Sequence, residues 1–233
     1  MKQFVIYAGI NGAGKSTLYN FQNKRIKNFV NLDLIVRELG GDWNVSRDYV
    51  PAVKEAKIRL NDSFETQKSL AYETTLVSNN LIRYIERAKT LGYKVTFNFI
   101  GVPSLEQSIE RIKERVEQGG HNVLQAVVEH RFLNQFSRIQ EVVKMVDEAY
   151  FYDNSEAMVI VGVFEKNKLL YNENEIPWVK KMFLENPELP KNIDEEQKQI
   201  KTAKKNGEWY SPFFYVKQLI WLLSVHFHLI LMC

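Results

Sequence analysis

The residues with the clearest chemical meaning form one short run near the N-terminus, Gly9-Ile10-Asn11-Gly12-Ala13-Gly14-Lys15-Ser16. The run matches the pattern G-x-x-x-x-G-K-[ST] at every fixed position. In such a loop the backbone N–H groups point at phosphate oxygens, the lysine bridges the β- and γ-phosphates, and the hydroxyl residue binds Mg²⁺. The run therefore predicts a nucleoside triphosphate site. Its expected nucleotide-binding residues are Gly9, Asn11, Gly12, Ala13, Gly14, Lys15, Ser16 and Thr17, with Ser16 on the metal side.

A phosphate-binding loop does not by itself identify the reaction, because kinases, GTPases, motors and transporter ATPases all use one. The sequence shows no evident segments for recognising a guanine base, which argues against a GTPase. A single small domain also argues against a motor protein. Transfer of the γ-phosphoryl group to a small acceptor is therefore the leading hypothesis. The alternative is a nucleotide-binding switch with little transferase activity.

Phosphoryl transfer needs a group that deprotonates or orients the acceptor, and Asp33 is the best candidate for this base. It follows the apolar run Phe29-Val30-Asn31-Leu32, which predicts a second strand. Ligands of open α/β sheets bind outside the carboxyl ends of the strands, beside the phosphate loop. The alternative is that Asp33 caps the helix expected from Leu34 to Leu39, since aspartate is a favoured N-cap residue.

Other polar residues are candidates for binding the acceptor. Glu73, followed by Thr74, lies in an apparent break between two helical patterns. It is expected either to bind an acceptor hydroxyl or Mg²⁺, or to be a turn residue. Asn98, within a predicted strand, is expected either to reach the crevice or to be a satisfied core amide.

Two arginines spaced four apart, Arg111 and Arg115, project from the same side of a predicted helix. They are expected either to cover the triphosphate as part of a lid, or to lie on a solvated face paired with nearby glutamates. His121 and Arg131 are further candidates for the acceptor side.

The elements needed to position these residues alternate between strand and helix, which predicts an α/β fold with a mostly parallel sheet in three layers. The apolar runs Phe4–Ala8 and Tyr93–Ile100 predict buried strands. A capping box at Ser104 begins a helix that Gly119-Gly120 ends. A long helix is expected from about Val123 to Asp147, followed by a hairpin from Met158 to Tyr171.

Length and composition set the wider limits. The chain has 233 residues, a formal net charge of +3 and one cysteine, Cys233. The small charge argues against a nucleic-acid partner, and a single cysteine without an internal disulfide partner favours the cytoplasm. We expect a globular domain over 1–185 and a polar linker with an apolar tail over 186–233. Gln218 to Cys233 carries no formal charge over 16 residues, but membrane contact through this short tail is the less favoured interpretation.

Several landmarks in order resemble the zeta-toxin-like P-loop kinases over roughly residues 3 to 165. They are Ala8-Gly9-Ile10-Asn11-Gly12-Ala13-Gly14-Lys15-Ser16-Thr17, Asn31-Leu32-Asp33-Leu34-Ile35, Tyr72-Glu73-Thr74-Thr75-Leu76, Gly92-Tyr93-Lys94-Val95, Arg115-Val116-Glu117-Gln118-Gly119-Gly120-His121-Asn122-Val123 and Tyr152-Asp153-Asn154-Ser155. The chain departs from the family at Leu124, where short bacterial members often have proline, and in its last 50 or so residues.

The resemblance implies an ATP- and Mg²⁺-dependent kinase with a helical lid. Its acceptor in zeta toxins is a UDP-activated amino sugar, UDP-N-acetylglucosamine, and an antitoxin protein is the implied partner. Lys15 matches the phosphate-binding lysine, Asp33 the carboxylate that activates the sugar hydroxyl, and Glu73 the acidic residue that contacts the acceptor. Arg111 and Arg115 match the arginine-bearing lid helix of the family. The resemblance does not determine which of the two contacts the phosphates.

Overall fold

The protein is built around one seven-stranded sheet. The computed structural model describes residues 1–22, 26–76 and 80–191. The sheet has the strand order β2-β3-β1-β4-β5-β6-β7. The first five strands in this order are parallel to one another, and β6 pairs antiparallel with both β5 and β7. The strands are β1 Gln3–Ala8, β2 Phe29–Val30, β3 Leu70–Thr74, β4 Lys94–Gly101, β5 Glu148–Asp153, β6 Val159–Glu165 and β7 Lys168–Asn172.

Helices connect the parallel strands and extend the chain beyond the hairpin. They are α1 Lys15–Gln22, α2 Leu32–Glu38, α3 Tyr49–Glu65, α4 Asn80–Thr90, α5 Leu105–Glu117, α6 Gln125–Leu133, α7 Ile139–Met145 and α8 Pro177–Glu185, with a single 3-10 turn at Ser46–Asp48. The α/β class, the mostly parallel sheet and the connecting helices confirm the predicted fold class.

The strand that carries the phosphate loop lies in the middle of the parallel part. Strand β1 is fully apolar from Phe4 to Ala8, and it is buried because β3 and β4 flank it and side chains cover both its faces. Val5 and Tyr7 pack into a cluster with Leu18 of α1. On the other face, Phe4 packs edge-on against Phe64 of α3. The rigid centre of the sheet thus fixes where the loop after β1 begins.

The expected helix from Val123 to Asp147 is wrong, because two shorter helices occupy that segment. Helix α6 ends at Leu133, α7 begins at Ile139, and the chain enters β5 at Glu148. At the break the Asn134 side chain donates to the His130 carbonyl, and the Ser137 hydroxyl donates to the Asn134 carbonyl. Such local side-chain bonds compete with the helical ladder, so the helix ends there.

Two further expectations about local structure are corrected. Glu73 lies in strand β3, paired with Tyr7 of β1, and not in a break or a turn between helices. Asp33 lies in the first turn of α2, and the N-cap is Asn31, whose side chain accepts from the Leu34 N–H. The predicted second strand is correspondingly shorter and ends at Val30. Asp33 therefore reaches the site from a helix that follows directly on a strand.

The packed part of the chain continues past residue 185. The Asn186 side chain donates to the Phe136 carbonyl and accepts from the Gln140 N–H, and Leu189 is buried. The rest of the expected linker and the apolar tail, 192–233, lie outside the described residues, so their role stays a prediction. Within the described ranges, no helix combines the length and the apolar character needed to span a membrane.

Candidate active site

The loop from Gly9 to Ser16 turns sharply between β1 and α1, and its glycines are required by close backbone contacts. Gly9 has φ +146°, and a Cβ there would lie 2.5 Å from the Ile100 carbonyl oxygen. Gly14 has φ +101°, and a Cβ there would lie 2.6 Å from the Asn154 amide nitrogen. At Gly9 the nearby backbone leaves no space for a side chain, and at both positions the positive φ disfavours any residue but glycine, as expected of a tight phosphate-binding loop.

Three elements brace this loop from outside. Asn154, after β5, donates to the Ala13 carbonyl at 2.8 Å, and the Ser108 hydroxyl of α5 donates to the Asn11 carbonyl at 2.5 Å. Arg131 of α6 donates to the Asn11 side-chain oxygen. The loop is thus held in its curled form by hydrogen bonds to its own carbonyl and amide oxygens, which do not use its N–H groups, the donors that bind phosphate in such loops.

Glu73 brings the lysine and the serine of the loop together. Its carboxylate accepts from the Ser16 hydroxyl at 2.7 Å and from the Asn31 amide at 2.8 Å, and it lies 3.6 Å from the Lys15 ammonium. Lys15 also donates to the Ile10 carbonyl at 2.9 Å. Of the roles expected for Glu73, binding an acceptor hydroxyl or Mg²⁺, its contacts with Ser16 and Lys15 place it on the phosphate and metal side of the loop.

Lys15 is buried, and its surroundings carry charge of both signs. Burial lowers the pKa of Lys15, the carboxylates of Glu73 and Asp33 oppose this shift, and the charges of Arg131 and Arg115 add to it. The two arginines are therefore close enough to Lys15 to act on its ammonium group. A polyanion placed here would face three cations, Lys15, Arg115 and Arg131, at the end of the sheet next to Asp33.

Asp33 forms a second cluster beside the first. Its Oδ1 accepts from the Tyr49 hydroxyl at 2.9 Å and lies 3.9 Å from the His121 Nε2 atom. The side chain of Asp33 keeps 34% of its surface exposed, whereas that of His121 keeps 11%. A carboxylate that is anchored at one oxygen and open to solvent is suited to meet an incoming hydroxyl group.

His121 is enclosed between the rings of Trp43 and Tyr49, with centroids 6.0 and 6.1 Å from its own. Burial lowers the pKa of His121, with Asp33 opposing the shift and the charges of Arg115 and Arg131 adding to it. Folding therefore disfavours the protonated imidazole relative to the unfolded chain.

This preference predicts a pH dependence of stability. Because the folded-state pKa is below the unfolded value, the unfolded chain binds more protons as the pH falls through that range, and the free energy of unfolding decreases. We expect His121→Asn to show a smaller loss of stability from about pH 7 to about pH 5 than the wild type, measured by urea unfolding. The matched control is the same change at exposed His130. An equal loss in His121→Asn and the wild type would contradict the prediction.

The two arginines of α5 have different partners. Arg111 donates to the Asn154 and Ser155 carbonyls, and Arg115 donates to the His121 carbonyl from Nε at 3.0 Å and from Nη2 at 2.7 Å. Both bind backbone carbonyls, so the expected pairing with glutamates on a solvated face is wrong. Arg115 is the one whose charge acts on Lys15.

Three other predicted site residues, Asn98, Thr74 and Thr17, have no hydrogen bond to either of the two clusters among the contacts described. Asn98 is buried in β4 and donates to the Ile6 carbonyl at 3.3 Å, which agrees with the core amide interpretation and not with the crevice. The Thr74 hydroxyl accepts from the Leu76 N–H at 3.2 Å at the end of β3. Thr17 is exposed in the first turn of α1.

Sequence reasoning missed Tyr49, Asn31 and Asn154 as members of the site. Asn31 had a recognisable signal, because an asparagine between a strand and a helical run is a favoured N-cap. Tyr49 had none, since it begins a helix 16 residues after Asp33 and meets it only in the folded chain.

The residues around Ser16 fit a magnesium ion. Mg²⁺ prefers oxygen ligands and is commonly held by one or two protein oxygens together with substrate phosphates and water. Ser16 and Glu73 provide a hydroxyl and a carboxylate within 2.7 Å of each other. The described part of the chain contains no group of three or more His, Cys, Asp or Glu side chains that could hold a metal, and a nucleotide-bound magnesium does not require one.

Comparisons with known proteins agree on the fold. A family model described as Zeta toxin matches residues 52–176, which is more than half of the chain and begins after the phosphate loop. A Haemophilus influenzae protein described as uncharacterized is 30% identical over 128 residues, covering 55% of this chain and 91% of that protein.

Two solved structures are similar at 18% sequence identity, a level that establishes the fold alone. The crystal structure of AvrRxo1-ORF1:-ORF2 with ATP has a TM-score of 0.64 over 83% of this chain and 66% of the other, so this chain spans just under two thirds of that protein. A structure from the PezAT chromosomal toxin-antitoxin system of Streptococcus pneumoniae has a TM-score of 0.50 over 68% of this chain and 69% of the other.

Proposed function

Because the chain belongs to the zeta toxin family, we propose that it is a kinase that transfers the γ-phosphoryl group of ATP to a hydroxyl of a small acceptor. The observation that carries this proposal is the contact between the phosphate loop and the start of the helix that bears Asp33. Glu73 lies 3.6 Å from the Lys15 ammonium and accepts at 2.8 Å from Asn31, the N-cap of α2, in whose first turn Asp33 lies. This reaction needs a site that binds the triphosphate and, beside it, a base or orienting group for the acceptor hydroxyl.

In the proposed reaction Asp33 accepts the proton of the acceptor hydroxyl, and the acceptor oxygen attacks the γ-phosphorus. A new oxygen–phosphorus bond forms as the bond between the γ-phosphorus and the bridging oxygen of ADP breaks. Lys15 holds the β- and γ-phosphates, and the loop N–H groups bind the oxygens of the leaving ADP. When bound, Mg²⁺ neutralises charge on the β- and γ-phosphates, and we assign Ser16 and Glu73 to hold it.

Arg115 and Arg131 are the cations that we propose to cover the transferring phosphoryl group. Both act on Lys15 electrostatically, and Arg131 contacts the loop at Asn11. Arg111 instead fixes the backbone of Asn154 and Ser155, and Asn154 braces the loop at Ala13. Arg111 is thus assigned a supporting role in the shape of the nucleotide site.

This assignment predicts different kinetic effects for two arginines one helical turn apart. We expect Arg115→Ala to lower kcat about 100-fold, since it removes a charge that stabilises the transferring group. Arg111→Ala is the matched comparison, and it should act mainly by raising KM for ATP. Steady-state kinetics with varied ATP measure both constants. A larger loss of kcat in Arg111→Ala than in Arg115→Ala would reverse the assignment.

For the acceptor we propose a UDP-activated amino sugar such as UDP-N-acetylglucosamine. The support is family membership together with the cationic surroundings of Asp33, because Arg115, Arg131 and Lys15 favour a polyanionic acceptor over a neutral sugar. By the same membership, and because one similar structure comes from a toxin-antitoxin system, we propose an antitoxin protein as a partner and the cytoplasm as the location.

The test uses the full chain, ATP labelled in the γ-phosphate, and either UDP-N-acetylglucosamine or a bacterial metabolite extract. Labelled UDP-N-acetylglucosamine supports the whole proposal, whereas another labelled metabolite retains the kinase and replaces the acceptor. Nucleotide binding with no labelled product from either mixture would contradict the kinase and favour a nucleotide-binding switch.

A further inference from the structure

One tyrosine hydroxyl lies between the proposed base, Asp33, and the His121 side chain. The hydroxyl of Tyr49, the first residue of α3, donates to Asp33 Oδ1 at 2.9 Å. The Tyr49 hydroxyl oxygen also lies 3.3 Å from His121 Nε2. The direct distance from His121 Nε2 to Asp33 Oδ1 is 3.9 Å. The hydroxyl is therefore the group that joins the carboxylate to the imidazole.

The surroundings of the Tyr49 hydroxyl favour its protonated, neutral form. Burial raises the pKa of Tyr49, and the charge and hydrogen bond of Asp33 raise it further. Tyr49 is consequently a neutral donor rather than an acid or base. Since its proton is bound at Oδ1 of Asp33, the acceptor proton would be taken by Oδ2.

His121 is itself held by the lid helix and by the loop before α3. Arg115 donates twice to the His121 carbonyl, and the N–H of Asn122 donates to the Asn44 side-chain oxygen at 3.2 Å. A continuous series of contacts thus runs from Arg115, through His121 and Tyr49, to Asp33.

We infer that Tyr49 is a positioning residue that orients the Asp33 carboxylate and, through His121, links that orientation to Arg115 of α5. The inference rests on the proposed kinase function, and nothing in the sequence motif marks this tyrosine. Tyr49 acts through Asp33, because its hydroxyl is bound at the carboxylate, while the reacting atoms belong to Asp33 and the two substrates.

The test is a double-mutant cycle with Tyr49→Phe, which keeps the ring and removes only the hydroxyl, and Asp33→Asn. We expect Tyr49→Phe to lower kcat about 10- to 30-fold with KM for ATP unchanged, as suits loss of a hydrogen bond to a charged group. On the Asp33→Asn background the same change should have no further effect on kcat. Equal losses on both backgrounds, or no loss on the wild-type background, would overturn the inference, since a purely structural role is additive.

A second measurement separates failure of this inference from failure of the proposed function. In NMR spectra of protein with isotope-labelled tyrosine, the Tyr49 signal is the one that Tyr49→Phe removes. Asp33→Asn and His121→Asn should each shift it, and Asp62→Asn, at an exposed position of α3, should not. If these shifts are seen but the wild type transfers no phosphate to any acceptor, the contact exists. The lack of transfer then refutes a role of Tyr49 in orienting a kinase base. Absence of the Asp33→Asn shift would refute the inference whatever the activity.

Discussion

Replacing Lys15 by alanine is expected to reduce phosphoryl transfer from ATP about 100- to 1000-fold. Lys15 is the loop residue whose ammonium group faces both Glu73 and the position of the β- and γ-phosphates. Its loss removes the cation nearest the transferring group and leaves the Glu73 carboxylate with fewer partners. Initial rates with saturating acceptor, measured over a range of ATP concentrations, give the loss in kcat and in kcat/KM.

Lys57→Ala, on the exposed face of α3, controls for the loss of one positive charge and should have the wild-type rate. Thermal unfolding of both variants checks that folding is preserved. Glu73 still has Ser16 and Asn31 as donors in Lys15→Ala, so we expect a folded protein. A Lys15→Ala protein that is folded and keeps more than about a tenth of the wild-type kcat would contradict the assignment of the triphosphate to this loop.

Asp33→Asn is expected to retain ATP binding and to lower phosphoryl transfer about 100- to 10,000-fold, the range that loss of a general base produces. The amide oxygen of asparagine can still accept from Tyr49, so the local structure should survive while the proton acceptor is lost. ATP affinity by calorimetry and transfer rates by quench-flow separate the two properties.

The matched control for this change is Asp62→Asn, an exposed aspartate of α3. It should match the wild type in both ATP affinity and transfer rate. Transfer at the wild-type rate by Asp33→Asn would exclude Asp33 as the base, and a parallel loss of ATP affinity would assign it to nucleotide binding instead.

The parts of the site that depend on local sequence could be predicted. The loop from Gly9 to Ser16 is read from residue types at fixed spacing, and the buried strand before it and the helix after it are short-range consequences of the same segment. The end of α5 at the glycine pair and its beginning at Ser104 also follow from neighbouring residues. These features need no knowledge of distant contacts.

The parts that depend on contacts between distant segments could not be predicted. Glu73 looks like a residue of a break, because β3 is short and its burial arises from pairing with β1. The break between α6 and α7 depends on two side chains, Asn134 and Ser137, that suit either a helix or a turn. Tyr49 joins the site only because α3 begins beside Asp33. Pairing and packing place Glu73 and Tyr49, and periodicity does not record them. The break between α6 and α7 is local, and it could not be predicted because its two side chains suit either structure.

The central claim, transfer of the γ-phosphoryl group of ATP by Asp33 and Lys15, is tested most directly by mass spectrometry of a metabolite extract incubated with ATP carrying heavy oxygen in its γ-phosphate. The wild type should produce one or more metabolites that have gained a heavy phosphoryl group, and Asp33→Asn, which still binds ATP, should produce them at least about 100-fold more slowly. Heavy inorganic phosphate alone from the wild type, or the same labelled metabolites at equal rates from Asp33→Asn, would contradict the account.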